Sequence, residues 1–219
     1  MQKIKNIIGF YTVCNRLKDV IRTGWKTWNV QRDRLESVAE HVYSTQMLAI
    51  AMYSEFQYDI DIKKVVFMIA LHEVGEAAIG DITQFQMSKE EKTKREHMAI
   101  HAIFAELSMG KELENLLLEF DERQTKEALF AFMCDKLEAD LQCKLYGQDG
   151  CVDLTNQPKN EALKDKFVQD LLSTGKSWHE MWLTFDKNKY PFDENFMAVL
   201  DYVMSNDMKT PDSFNELFI

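Results

Sequence analysis

The chain has 219 residues, 46% of them hydrophobic and 28% charged, with a formal net charge of −10. This composition reads as one soluble globular domain with a sizeable core, and no apolar run approaches the ~20 residues of a membrane span. So acidic a chain is a poor match for nucleic acid, where Lys and Arg must neutralise phosphates, but an anionic small molecule remains open to it if a metal and a few local cations offset the field.

The opening stretch, "MQKIKNIIGFYTVCNRLKD", has too short an apolar run for a signal peptide and no small-residue cleavage site. The cysteines Cys14, Cys134, Cys143 and Cys151 show no Cys-x-x-Cys spacing, which suits buried thiols in a reducing compartment. Cytoplasm is the expected location, with no membrane attachment.

From there the chain reads as helix after helix. "ESVAEHVYSTQMLAIAMYSEF", from Glu36, places Val38, Val42, Met47, Leu48 and Met52 near helical spacing. "DIKKVVFMIALHEVGEAAIG" predicts a central, mostly buried helix capped by Asp59 or Asp61 and stopped at Gly80. "SKEEKTKREHMAIHAIFAELSMG" opens on a capping box, Ser88 with Glu91, and is expected to close at Gly110. A further helix should end at Gly147, followed by a loop over 147–158 and a helix to about Ser173. Ser177 with Glu180 makes a second capping box, and Thr210-Pro211 marks another helix start. No period-two strand pattern stands out. The expected fold is all-α, a domain over residues 1–175 with an aromatic-rich helical extension over 176–219, packed on that domain or at a subunit interface.

The stretch "LHEVGEAAIGD" concentrates the chemistry. It is not the zinc-protease motif, which needs a second His where Glu76 stands. On one continuous helix, His72, Glu73 and Glu76 would share an arc of roughly 100°, either as a solvated acidic stripe or, if enclosed, as a group that needs compensation such as a metal. His41 in a second apolar helix and Asp135 in a third favour a mixed nitrogen–oxygen metal site assembled from three helices. Taken singly, each has a plainer reading: a hydrogen-bonded core His, and an Asp paired with Lys136 or Arg123. "HMAIH" puts His97 and His101 one turn apart, read as an ordinary helix face with one His buried, and Lys89, Lys92, Lys94 and Arg95 read as a solvated basic face.

The order His41, His72-acid, Asp135, with "RTGW" (22–25), "ESVAEH" (36–41), "LHEVGEAAIGDI" (71–82) and "CDKLEADLQ" (134–142), resembles the HD-domain metal-dependent phosphohydrolases, closest to the 5′-deoxynucleotidase branch. Glu76, Gly80 and Asp81 match the family's spacing after the second His, whereas Glu73 stands where the family's namesake is Asp. The resemblance implies that His41, His72, Glu73 and Asp135 hold one divalent ion, with Mn, Co, Fe or Zn more natural than Mg for two imidazoles and two carboxylates. It implies a catalytic role for Glu76 in orienting or deprotonating a water, and for Asp81 at the sugar or leaving oxygen; punctuation of the helix end is Asp81's plain alternative. Arg22 and Trp25 would line the nucleotide pocket, with a surface salt bridge and core packing as their plain alternatives. The implied activity is hydrolysis of 5′-(deoxy)nucleoside monophosphates to nucleoside and phosphate, by a protein that is a homodimer. Alternatives are an HD hydrolase of a nucleoside triphosphate or other phosphate ester, or a non-catalytic nucleotide-binding module. The extra methylene at Glu73 moves its carboxylate by about 1.5 Å, so binding of the ion and turnover are separate expectations.

Overall fold

A computed structural model of the chain describes residues 1–83 and 86–212. The helices are α1 (Gln2–Asn15), α2 (Thr23–Thr27), α3 (Val38–Phe56), α4 (Ile62–Leu71), α5 (Glu76–Ile79), α6 (Lys89–Phe104), α7 (Gly110–Glu122), α8 (Lys126–Gln148), α9 (Lys166–Ser173), α10 (Trp178–Lys189) and α11 (Glu194–Ser205). One isolated antiparallel bridge, Ile21 with Ser37, is the sole β pairing among the described residues. The all-α expectation holds, and no described helix is long and apolar enough to cross a membrane.

Local chemistry sets the helix starts. Ser37 and Glu40 form a complete capping box at α3, and Ser177 and Glu180 do the same at α10, each satisfying two backbone N–H groups that the first turn leaves over. Asp61 caps α4, accepting from the Lys63 and Lys64 amides at 3.0 and 3.2 Å. At α6 the box is half made: Ser88 accepts from the Glu91 amide, while the Glu91 carboxylate takes Arg95 at 2.8 Å instead.

Two expectations need correction. The helix predicted to run to Gly80 ends at Leu71, and the chain continues in tight turns until α5. Its amides there bond three residues back: Val74 to Leu71 at 2.9 Å, Glu76 to Glu73 at 3.0 Å, Ala77 to Val74 at 3.2 Å. That winding eclipses positions three apart, so the smooth arc of His72, Glu73 and Glu76 is replaced by a tighter coil. Gly80 does stop the segment, at φ +77°, where a side chain would be strained. Second, α6 ends at Phe104, and Gly110 opens α7; a Cβ there would lie 2.1 Å from the Phe104 carbonyl oxygen. The helices α3 and α7 close on Gln57 and Arg123 in the left-handed region. The helix expected after Thr210-Pro211 lies outside the described residues.

The buried axle of the molecule is α8, against which α3, α4, α7, α10 and α11 pack. Its buried residues fall on every side, from Phe130 and Met133 to Leu137, Asp140 and Cys143, the pattern of a helix enclosed all round. Trp25, Met68, Ile69, Phe130, Leu137, Trp178, Leu183, Phe196 and Leu200 belong to one core, so α10 and α11 share it with α3, α4 and α8.

Candidate functional site

The end of α4, the first turn of α3 and the middle of α8 meet at one point. His41 comes from the first full turn of α3, and its ring is fully buried. Its Nε2 lies 3.0 Å from Asp135 Oδ1 and 3.9 Å from Glu73 Oε1. His72 Nε2 lies 3.7 Å from each of the same two oxygens. All four ligand atoms fall within 4.8 Å of one another.

These spacings have a physical meaning. Two donors about 2.1 Å from a shared ion stand roughly 3.0 Å apart at right angles and about 3.4 Å apart at tetrahedral angles. The fit to a metal rests on a second observation. His72 Nδ1 lies 2.7 Å from the Ile69 carbonyl oxygen, so Nδ1 carries a hydrogen and Nε2 is the nitrogen left to face the cluster. That buried Nε2 has no hydrogen-bond partner among the described residues. A buried imidazole nitrogen left over between two carboxylates is what a cation would satisfy, and the two-nitrogen, two-oxygen donor set suits a first-row transition ion.

The electrostatics of the cluster follow from its packing. Burial works against the Glu73 carboxylate, but His72 and Arg22 overcome it and hold the group down to about 2. Burial likewise opposes Asp135, yet Lys136, 2.8 Å from its Oδ2, and the two imidazoles keep it well below the usual carboxylate range. Burial and Arg22 push His41 down, while Glu138 and Asp135 outweigh them and raise it to about 9. A cation entering the cluster therefore displaces a proton.

The other predicted residues take different places. Arg22, the N-cap of α2, turns its guanidinium inward to Glu73 Oε1 at 3.1 Å. Trp25 is 2% exposed; it donates from Nε1 to Glu36 Oε2 at 2.7 Å and stacks on Trp182, with ring centroids 5.3 Å apart. Its packing role and its place in the pocket wall therefore coexist. Asp81 clamps the start of α2: its Oδ2 accepts from the Thr23 amide at 2.6 Å and its carbonyl from Thr23 Oγ1 at 2.7 Å. Glu76 is buried beside Lys92 at 3.4 Å, and burial together with Glu73 and Asp81 pushes its carboxyl well above the usual range. It shares a small void of about 20 Å³ with His72, apart from the main pocket.

That main pocket is a cavity of about 470 Å³, within the range of small-molecule sites. Arg22, Glu73, Asp81 and Lys92 line it, and so do Trp182 and Asp186 from α10 and Tyr190 just after it. His97 and His101 lie elsewhere, paired with Asp121 at 2.8 Å and Glu114 at 3.2 Å. Neither is buried, contrary to the expectation for one of them.

Sequence reasoning missed several residues here. Glu138, one turn after Asp135, hydrogen-bonds His41 Nδ1 and so fixes which nitrogen faces the cluster. Lys92 is not a purely solvated cation. The α10 wall was not foreseen, since nothing local in "SWHEMWLTFDKNKY" says which neighbour it meets. Glu138 could have been found by asking what orients His41, because a ligating His almost always bonds through its other nitrogen.

A helical bundle whose centre gathers two His and two carboxylates around one point is the architecture of a metal-site hydrolase. The HD domain family matches residues 14–173, and the chain belongs to that family. It is 34% identical over 151 residues to 5′-deoxynucleotidase HDDC2 of Dictyostelium discoideum, covering 65% of this chain and 78% of that one. With 5′-deoxynucleotidase HDDC2 of Homo sapiens it shares 32% identity over 145 residues, covering 65% and 69%. A solved structure from Pyrococcus horikoshii superposes with a TM-score of 0.66 at 22% identity, over 90% of this chain and 98% of that one. At that identity the superposition speaks for the fold alone.

Proposed function

We propose that the protein is a metal-dependent phosphomonoesterase that hydrolyses 5′-deoxynucleoside monophosphates to nucleoside and phosphate. The observation that carries this reading is the convergence of His41, His72, Glu73 and Asp135 within 4.8 Å beside a nucleotide-sized cavity. The named activity of relatives that share about a third of their residues over most of their length supports it.

When bound by those four side chains, a divalent ion polarises the phosphate and lowers the pKa of a water. The chain's own residues do the rest. Lys136 and Lys92 place positive charge at the pocket, where it draws in a dianionic phosphate. Arg22 keeps Glu73 aimed, and Asp81 keeps Arg22 aimed by tying down the turn that carries it. Glu76 shares the small void beside His72, and the charge of a bound ion would return its raised carboxyl to the carboxylate form, in which it would orient the attacking water and take its proton. Trp182 and Phe185 offer flat apolar surface to the sugar and base.

The cytoplasm remains the proposed location, and a homodimer the proposed assembly. The outward side chains Ile4, Ile8 and Tyr11 of α1, each more than half exposed, supply apolar area for such a contact. Phosphate release from a panel of deoxynucleoside mono- and triphosphates tests the activity. Free phosphate from monophosphates is expected; pyrophosphate or triphosphate as the product would replace this reading with the triphosphate hydrolase, and tight binding without turnover would replace it with the binding module.

A further inference from the structure

The wall of the pocket supplied by α10 holds a pair of acids that the hydrolysis itself does not use. Asp186 is 8% exposed and lines the cavity. Behind it Asp140, fully buried on α8, is held by Trp182 Nε1, which donates to its Oδ1 at 3.1 Å. Asp140 Oδ2 has no hydrogen-bond partner among the described residues, and Asp186 is close enough for the two negative charges to repel. Two neighbouring buried carboxyls hold one proton between them rather than two charges. Burial, then the neighbouring Asp186, pushes Asp140 well above the usual carboxylate range, while burial raises Asp186 only to about 6. The proton therefore sits on Asp140, and Asp186 faces the cavity as a carboxylate at neutral pH.

Position along α8 says what that carboxylate meets. Asp140 follows Asp135 by five residues on one continuous helix, a rise of about 7.5 Å. A phosphate held at the Asp135 end puts the sugar across that interval and the base beyond it, against Asp186 and the Trp182 ring. A carboxylate there is an acceptor only, and a carboxylate oxygen can take two donors.

We propose that Asp186 reads the edge of the nucleobase, favouring a base with two adjacent N–H groups, as guanine has, over one such as thymine whose single N–H lies between two carbonyl oxygens. This rests on the nucleotide reading above. Guanine meets Asp186 with two parallel donors, whereas thymine brings two oxygens up to an anion. Asp140, by holding the proton behind Asp186, leaves Asp186 as the charged member of the pair and is a positioning residue.

The test compares deoxyguanosine and thymidine monophosphates on the full chain with added Mn²⁺, measuring both kcat/KM and Kd. Wild type should prefer the guanine nucleotide. In Asp186→Asn that preference should fall on the order of ten- to a hundredfold, the loss of a charge-assisted hydrogen bond. A ratio of two substrates on one preparation is independent of how much of the variant is folded. Asp140→Asn, neutral like the protonated acid it replaces, should keep the preference. An unchanged ratio in Asp186→Asn, or a wild type indifferent to the base, overturns the proposal. Guanine-selective binding that Asp186→Asn abolishes, seen without turnover, would uphold the base reading while removing the hydrolase one.

Discussion

Replacing Glu73 by Asp restores the residue that gives the HD family its name, and the structure says it should impair this protein. The Glu73 carboxylate lies 3.1 Å from the Arg22 guanidinium. Shortening the arm by one methylene withdraws it by about 1.5 Å, so the contact opens to about 4.6 Å, beyond hydrogen-bond reach. The same retreat would carry the oxygen from about 2.1 Å to about 3.6 Å from a shared ion unless the backbone follows. The backbone is poorly placed to follow, because residues 72–77 are wound tightly by three-residue hydrogen bonds. A misplacement of this size costs on the order of 100-fold in rate, or about 2.7 kcal/mol of barrier. Steady-state phosphate release at saturating Mn²⁺, with circular dichroism to check folding, measures it. Activity equal to or above wild type at equal metal content would refute the reasoning, and would mean that the cluster accepts either arm.

Other substitutions probe neighbouring links. Glu76→Ala should leave metal content unchanged and lower kcat by about 10² to 10⁴, read by phosphate release beside elemental analysis; loss of metal would make Glu76 a ligand instead. Glu138→Gln should weaken metal affinity by about 10- to 100-fold by freeing the His41 ring, measured by competition with a chromophoric chelator. Asp186→Asn should also change stability with pH. Because the folded pKa of Asp186 is raised to about 6 from about 3.9 unfolded, its contribution is present below pH 4 and lost as pH rises through 6. Urea titrations should therefore show the variant gaining on wild type between pH 4 and 6; a constant difference would contradict the shared proton.

Much of the fold was legible because its signals are local. The capping pair Ser177–Glu180 and the cap at Asp61 act through residues two or three apart. The break at Leu71 was not legible, since apolar Val74, Ala77, Ala78 and Ile79 keep recurring up to Gly80; the chain leaves the helix through backbone bonds made three residues back and a His72 Nδ1 donation to the Ile69 carbonyl. Gly110 misled for a similar reason. Its lack of a Cβ serves close approach to the Phe104 carbonyl, not a helix stop. Of the site, His41, His72, Glu73 and Asp135 could be nominated because three apolar helices each carried a costly polar residue. Glu138 needed the further question of what orients His41, and Lys92 and Asp186 could not be nominated, because each looks like an ordinary charge until the packing of α6 and α10 shows what it faces.

The shared ion is the premise beneath every step, and elemental analysis of protein purified without chelator addresses it. Wild type should carry about one equivalent of a first-row transition ion per chain, and His72→Ala, which removes the buried Nε2, should carry none. Full phosphate release from a wild-type protein stripped of metal, or an undiminished equivalent of metal in His72→Ala, would contradict it.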